Sequence, residues 1–111
     1  MITIEELKAL GADTDTGLSR CVGNEALYLK LVGMGLGDAK FEELDAALNA
    51  GDLDKAFELC HALKGVIGNL AISPLYEALS DMTEKLRSRE EADYQFLYSK
   101  VIEIRSKFWK S

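Results

Sequence analysis

The chain is poor in the residues that interrupt helices or lock loops. It has one proline, one histidine, one tryptophan and two cysteines in 111 residues. Proline breaks a helix by removing a donor and clashing with the preceding turn, so a single one, Pro74, leaves long stretches free to be helical. Cys21 and Cys60 are too few for a disulfide framework. Both lie among apolar neighbours, where a reduced cysteine behaves as a small core residue. No uncharged stretch approaches the roughly 20 residues that cross a bilayer, which excludes a membrane span. Basic residues are also in the minority: 13 Lys and Arg against 19 Asp and Glu give a formal charge of −6. That balance excludes the concentrated basic surface that nucleic-acid phosphates require and points to protein partners. The opening segment, Met1-Ile2-Thr3-Ile4-Glu5-Glu6, carries acids where a secretory leader carries basic residues, so the expected compartment is the cytoplasm.

What is present is helical periodicity. Hydrophobic residues at 48% and charged residues at 29% fit a folded globular chain, and the length suits one domain, 1–111, with a bundle core at about 24–108. Thr3 and Glu6 form a candidate capping box for a short helix ending near Leu10, and the segment from Gly11 to Thr16 reads as a loop. After a turn with Leu18, Cys21 and Val22, Asn24 is placed to cap a helix that buries Leu27, Leu31 and Met34. Asp38 is a plausible cap for the next, with Phe41, Leu44, Ala47 and Leu48 at core spacing. Gly51 and Asp52 read as a stop and a restart, and the helix they open ends near Leu70 or Ala71. Ser73 as N-cap with Pro74 at the first position begins a helix striped by Leu75, Leu79, Met82 and Leu86. Ser88 and Glu91 suit a capping box for the last helix, whose seam is Tyr94, Leu97, Tyr98, Val101, Ile104 or Arg105, and Phe108. Short connections favour antiparallel neighbours. The expected fold is all-α: an antiparallel up-and-down four-helix bundle with one or two short additional N-terminal helices.

His61 stands out within this frame. At about 100° per residue, Ala56, Leu59, Leu63, Val66, Ile67 and Leu70 gather on one side of its helix, and His61, Lys64, Gly65 and Gly68 on the other. Each of these glycines costs about 1 kcal/mol relative to alanine inside a helix. Neither faces the expected core, so their bareness is read as clearance for another surface approaching the imidazole. An exposed imidazole is mostly uncharged at neutral pH, with a lone pair able to attack phosphorus. Lys64, one turn onward, is placed to donate to the oxygens of an attached phosphoryl group. Phe57 and Glu58, one turn earlier, flank the ring as candidate docking contacts, Phe57 reading equally as a partly buried residue at the bundle edge. A metal site built from Cys21, Cys60 and His61 is disfavoured, because adjacent helical residues diverge and there is no second histidine. Caps and loops explain Asp13, Asp15, Asp52 and Asp54 better than metal binding does, and the run from Arg87 to Glu91 reads as solvated.

The run His61-Ala62-Leu63-Lys64-Gly65, continuing through Asn69-Leu70, resembles the H-x-L-K-G signature of histidine-containing phosphotransfer (HPt) domains. The likeness extends over about residues 12–108. The stretch from Leu18 to Tyr28 resembles the family's first bundle helix and its approach, and Leu44 to Asp52 the segment before the histidine helix. By resemblance, His61 is the phosphoryl acceptor, Lys64 assists with phosphate charge and Gly65 leaves room for the partner; their neighbours Phe57, Glu58, Gly68 and Asn69 are the candidate docking positions. The resemblance implies a phosphorelay intermediate that takes the group from a receiver-domain aspartyl phosphate, or from a kinase, and hands it to another receiver. It implies no cofactor on this chain, with Mg²⁺ on the partner receiver, and receivers or a hybrid histidine kinase as partners; a monomer is expected because a single bundle can bury its own core. There is neither a P-loop nor a kinase glycine-rich motif, consistent with a phosphocarrier rather than an autonomous enzyme. Two departures carry expectations. Gly33-Met34-Gly35-Leu36-Gly37 replaces a frequent bulky aromatic, so that helix is expected to end early, kink or pack loosely. The family's ring-binding glutamine corresponds to Asp81, Met82 or Thr83, of which only Thr83 is a weak substitute. The alternative function is a non-transferring module that docks on and occludes a receiver or kinase. An autophosphorylating dimeric kinase core fits less well, since Ala62 stands where such proteins usually carry an acid.

Overall fold

Turn chemistry decides where the helices begin. The structure, a computed structural model, describes residues 2–109; among them are seven helices and no strand: α1 (Ile4–Ala9), α2 (Thr14–Arg20), α3 (Glu25–Leu36), α4 (Lys40–Asn49), α5 (Leu53–Asn69), α6 (Ser73–Arg87) and α7 (Tyr94–Phe108). The Thr3–Glu6 capping box forms as expected, and Asn24 and Asp52 accept from the backbone N–H groups of Leu27 and Lys55. Gly51, at φ +71°, supplies the left-handed residue that ends α4 and lets Asp52 open α5.

Four boundaries differ from the sequence reading. The expected loop from Gly11 to Thr16 is partly helix, because Asp13 caps α2 through the Thr16 N–H. Asp38 stands one residue outside the Ala39 cap of α4 yet still accepts from the Lys40 N–H at 2.8 Å. Ser73 is already helical, with Ile72 as an N-cap that has no side-chain bond and Pro74 in the first turn. The Ser88–Glu91 box does not form: Ser88 terminates α6, and Asp93 caps α7 through the Phe96 N–H at 3.0 Å.

Helices α4, α5, α6 and α7 pack in sequence, and α4 meets α7 to close the ring. The stripes supply the core: Phe41 and Leu44; Ala56, Cys60, Leu63 and Ile67; Leu75, Leu79, Met82 and Leu86; Val101 and Phe108, all buried. Burying each leucine-sized side chain is worth about 1.5–3 kcal/mol. Arg105 rather than Ile104 takes the buried register of α7. Its Nε donates to the Leu36 carbonyl at 2.6 Å, and its guanidinium sits 4.3 Å from the Phe41 ring and 4.2 Å from that of Trp109.

The ring begins at Lys40, and α3, expected in the bundle core from about residue 24, meets α5 near its last turn, where Gly35 packs on Leu70, and α7 where Arg105 reaches the Leu36 carbonyl. Ten residues give α4 a length of about 15 Å, against about 25 Å for the 17 of α5; α3 covers what α4 leaves open. It buries Tyr28, Val32, Gly35 and Leu36, leaving the expected core residues Leu27 and Met34 exposed at 42% and 61%. Its glycines do not loosen it. The helix runs to Leu36, and a Cβ on Gly35 would stand 2.5 Å from Leu70 Cδ1, so the glycine permits close packing on α5. The Tyr28 hydroxyl donates to the Leu70 carbonyl at 2.8 Å and ties the same junction.

Candidate functional site around His61

The phase of α5 separates two nucleophiles that are neighbours in sequence. Cys60 is fully buried, and His61, one 100° step away, is exposed. Burial pushes the Cys60 thiol up to about 11, with the adjacent Thr83 hydroxyl and the Lys64 charge acting the other way. Thr83 therefore faces the interior. Its hydroxyl donates to the Leu79 carbonyl at 2.6 Å and lies 3.2 Å from Cys60 Sγ, so it does not replace the glutamine on the histidine ring. Of the other two candidate positions, Met82 is buried and the Asp81 carboxylate pairs with Lys85 at 3.3 Å.

His61 is instead supported by a ring. Phe57, one turn earlier, stacks on it with centroids 5.8 Å apart and planes 27° from parallel. The Arg87 and Arg89 guanidinium groups lie 5.0 and 5.9 Å from the Phe57 centroid. The run from Arg87 to Glu91 is thus only partly solvated: Arg87 also meets Glu84 at 3.2 Å, and Arg89 pairs with Asp54. Glu58 is exposed on this side. The stack leaves the edge of the imidazole, where its nitrogens are, without a hydrogen bond from any described residue.

On the other side of His61 the surface opens. A cleft of about 500 Å³ is lined by His61, Lys64, Gly65, Gly68 and Asn69 of α5, by Ser73 and Tyr76 of α6, and by Asp13, Thr16 and Arg20 from the N-terminal segment. Nothing lies within 4 Å of where a Gly65 Cβ would be. Gly68 differs: a Cβ there would stand 2.9 Å from the Tyr76 ring, so packing within the chain, not clearance for a visitor, accounts for it. Lys64 Nζ is 5.9 Å from the centroid of the same ring, which places the ammonium over the cleft. Asp13 caps α2 and is held below the usual carboxylate range chiefly by the hydrogen bonds from the Thr16 side chain and backbone.

The α5 residues expected at the site thus share one face, with Phe57 and Glu58 on one side of the histidine and Lys64, Gly65, Gly68 and Asn69 on the other. Tyr76 and Arg20 were missed. Tyr76 is 37% exposed, and its place off the Leu75–Leu79–Met82–Leu86 stripe was the available signal. Arg20 carried no signal, because its contacts are 48 and 49 residues away in sequence. Among the described residues no group of three or more His, Cys, Asp or Glu side chains is disposed to hold a metal ion, and no helix is long and apolar enough to cross a membrane.

An antiparallel helical ring that presents a lone histidine on the outer face of its second member defines the class: a four-helix bundle with an exposed imidazole on its surface. The model of the Hpt domain family matches residues 37–105, from the turn before α4 into the last turn of α7. The chain belongs to the Hpt domain family, the phosphotransfer domains of two-component phosphorelays. Residues 12–36, over which a resemblance was also expected, lie outside that match. No curated protein and no solved structure matches the chain.

Proposed function

We propose that this protein is a phosphorelay intermediate that receives a phosphoryl group on His61 from a receiver-domain aspartyl phosphate, or from a kinase, and passes it to another receiver. The observation that carries this reading is the exposed His61 ring beside the empty space at Gly65. A neutral imidazole nitrogen attacks phosphorus; the N–P bond forms as the P–O bond to the donor carboxylate breaks, and the carboxylate leaves as the anion. Transfer of this kind depends on positioning and charge stabilisation. Phe57 orients the ring, Lys64 supplies a cation for the phosphoryl oxygens, and Gly65 lets the partner's backbone come close. Mg²⁺ and its acidic ligands belong to the receiver. Phe57, Glu58 and Asn69 form the rim on which that partner docks, in the cytoplasm, with a monomer of this chain as the working unit.

Incubation with a labelled phospho-receiver tests the assignment. Acid-labile, alkali-stable label is expected on the wild type and absent from His61→Gln; label that persists in the variant removes His61 from the reaction. Lys64→Ala is expected to slow transfer or shorten the life of the phosphorylated form. If His61→Ala still alters the partner's activity as the wild type does, the chain acts by occlusion instead.

A further inference from the structure

Arg20 closes α2, well before the family-matched residues begin, yet it reaches into the cleft that holds His61. Its Nη1 donates to the carbonyls of Gly68 and Asn69, both at 2.9 Å. These carbonyls end α5, where the helix dipole places partial negative charge. That end lies about 10 Å along the axis from His61, seven residues at 1.5 Å each. Arg20 thus covers the helix end whose partial negative charge opposes an anion in the cleft. No ion pair joins Arg20 to an acid among the described residues: Asp13, the acid in the same cleft, has its carboxylate oxygens engaged by Thr16, at 2.7 Å to the hydroxyl and 3.2 Å to the backbone N–H. Those bonds chiefly lower the Asp13 carboxyl, and the Arg20 charge helps to lower it further. Only Nη1 is used on the carbonyls, and Arg20 is among the residues that line the cleft.

We propose that Arg20 is a second cationic residue of the phosphotransfer site, supplied from outside the four-helix ring, which acts through its charge on the His61 phosphoryl group and the incoming partner. This rests on His61 being the acceptor. It makes the N-terminal segment part of the reaction site as well as of the fold. Because Arg20 is placed at a distance from the reacting nitrogen, it is a positioning residue, with Lys64 the nearer cation.

The test separates charge from hydrogen bonding in the full chain. Arg20→Gln keeps an N–H donor for the two carbonyls and loses the charge; Arg20→Lys keeps the charge and loses the fork. With a labelled phospho-receiver, Arg20→Gln is expected to transfer about 3- to 10-fold more slowly, the scale of one partly screened charge at about 10 Å, while Arg20→Lys stays within about twofold of wild type. In ³¹P spectra of the phosphorylated protein, the titration of the phosphoryl signal should move to higher pH in Arg20→Gln and stay in place in Arg20→Lys. Equal rates and titrations in all three proteins overturn the proposal, as does an equal loss in both variants, which would make Arg20 a structural pin. Label missing from the wild type itself sinks the phosphocarrier reading instead, an outcome distinct from labelled protein that is indifferent to position 20.

Discussion

Cys60 and His61 are adjacent nucleophiles on one helix, and the structure makes one inert and the other available. The thiol is enclosed by α6, beside Thr83 and the Leu79 carbonyl; the imidazole is in water against a single aromatic ring. The difference teaches that reactivity here is set by helical phase more than by residue type. The same contrast recurs between Gly65 and Gly68. Gly65 has empty space beside it and Gly68 a tyrosine ring, so only the first needs an explanation outside the chain.

The largest expected effect lies on the buried side. Leu63→Ala should cost about 2–5 kcal/mol of stability, whereas His61→Ala should stay within about 0.5 kcal/mol; urea denaturation of the two variants measures the contrast directly. Alkaline titration probes the same side through Cys60. The unfolded thiol ionises near 9.0, but the native one holds its proton to about 11. The native state therefore binds more protons in that window, and stability falls as pH rises through it, by up to about 3 kcal/mol. Cys60→Ala should lack this component of the decline, and an unchanged pH profile in the variant would break the comparison.

On the exposed side the effect is kinetic. Gly65→Gln should slow phosphoryl transfer by about 10-fold or more, equivalent to about 1.4 kcal/mol of barrier, without lowering the melting temperature. Unaltered transfer would mean that the space at Gly65 admits nothing. The smallest effect separates the two glycines. Gly65→Ala should stabilise by up to about 1 kcal/mol through helix propensity. Gly68→Ala should come out near zero, because it displaces Tyr76, and should become stabilising by a similar amount in a Tyr76→Ala background. This double-mutant cycle reads out the Gly68–Tyr76 contact.

Phase made α5 legible from sequence alone: a strong apolar stripe fixes the opposite face, and that face carries His61, Lys64 and Gly65. The same logic failed in α3, where Leu27, Leu29, Leu31, Val32, Met34 and Leu36 leave no polar face to set the rotation, and a shift of one position exchanges Leu27 for Tyr28. It failed in α2 as well. Asp-Thr-Asp-Thr-Gly reads as a loop by propensity, yet tertiary packing holds it as a helix, with Gly17 bare because the Tyr28 ring would lie 2.4 Å from its Cβ. Caps misplaced at Ser73 and Ser88 reflect several acceptors competing within a few residues. Periodicity carries no information about contacts between distant segments, so Arg20 on the end of α5 and Tyr76 against Gly68 became visible only in the folded chain.

The shortness of α4 has a mechanical corollary. Along its first turns the histidine helix is held by the ring, and its far end rests on a separate stretch of polypeptide through Gly35 and Tyr28. Substitutions in that stretch are therefore expected to disturb the far end of α5 more than the direction in which His61 points.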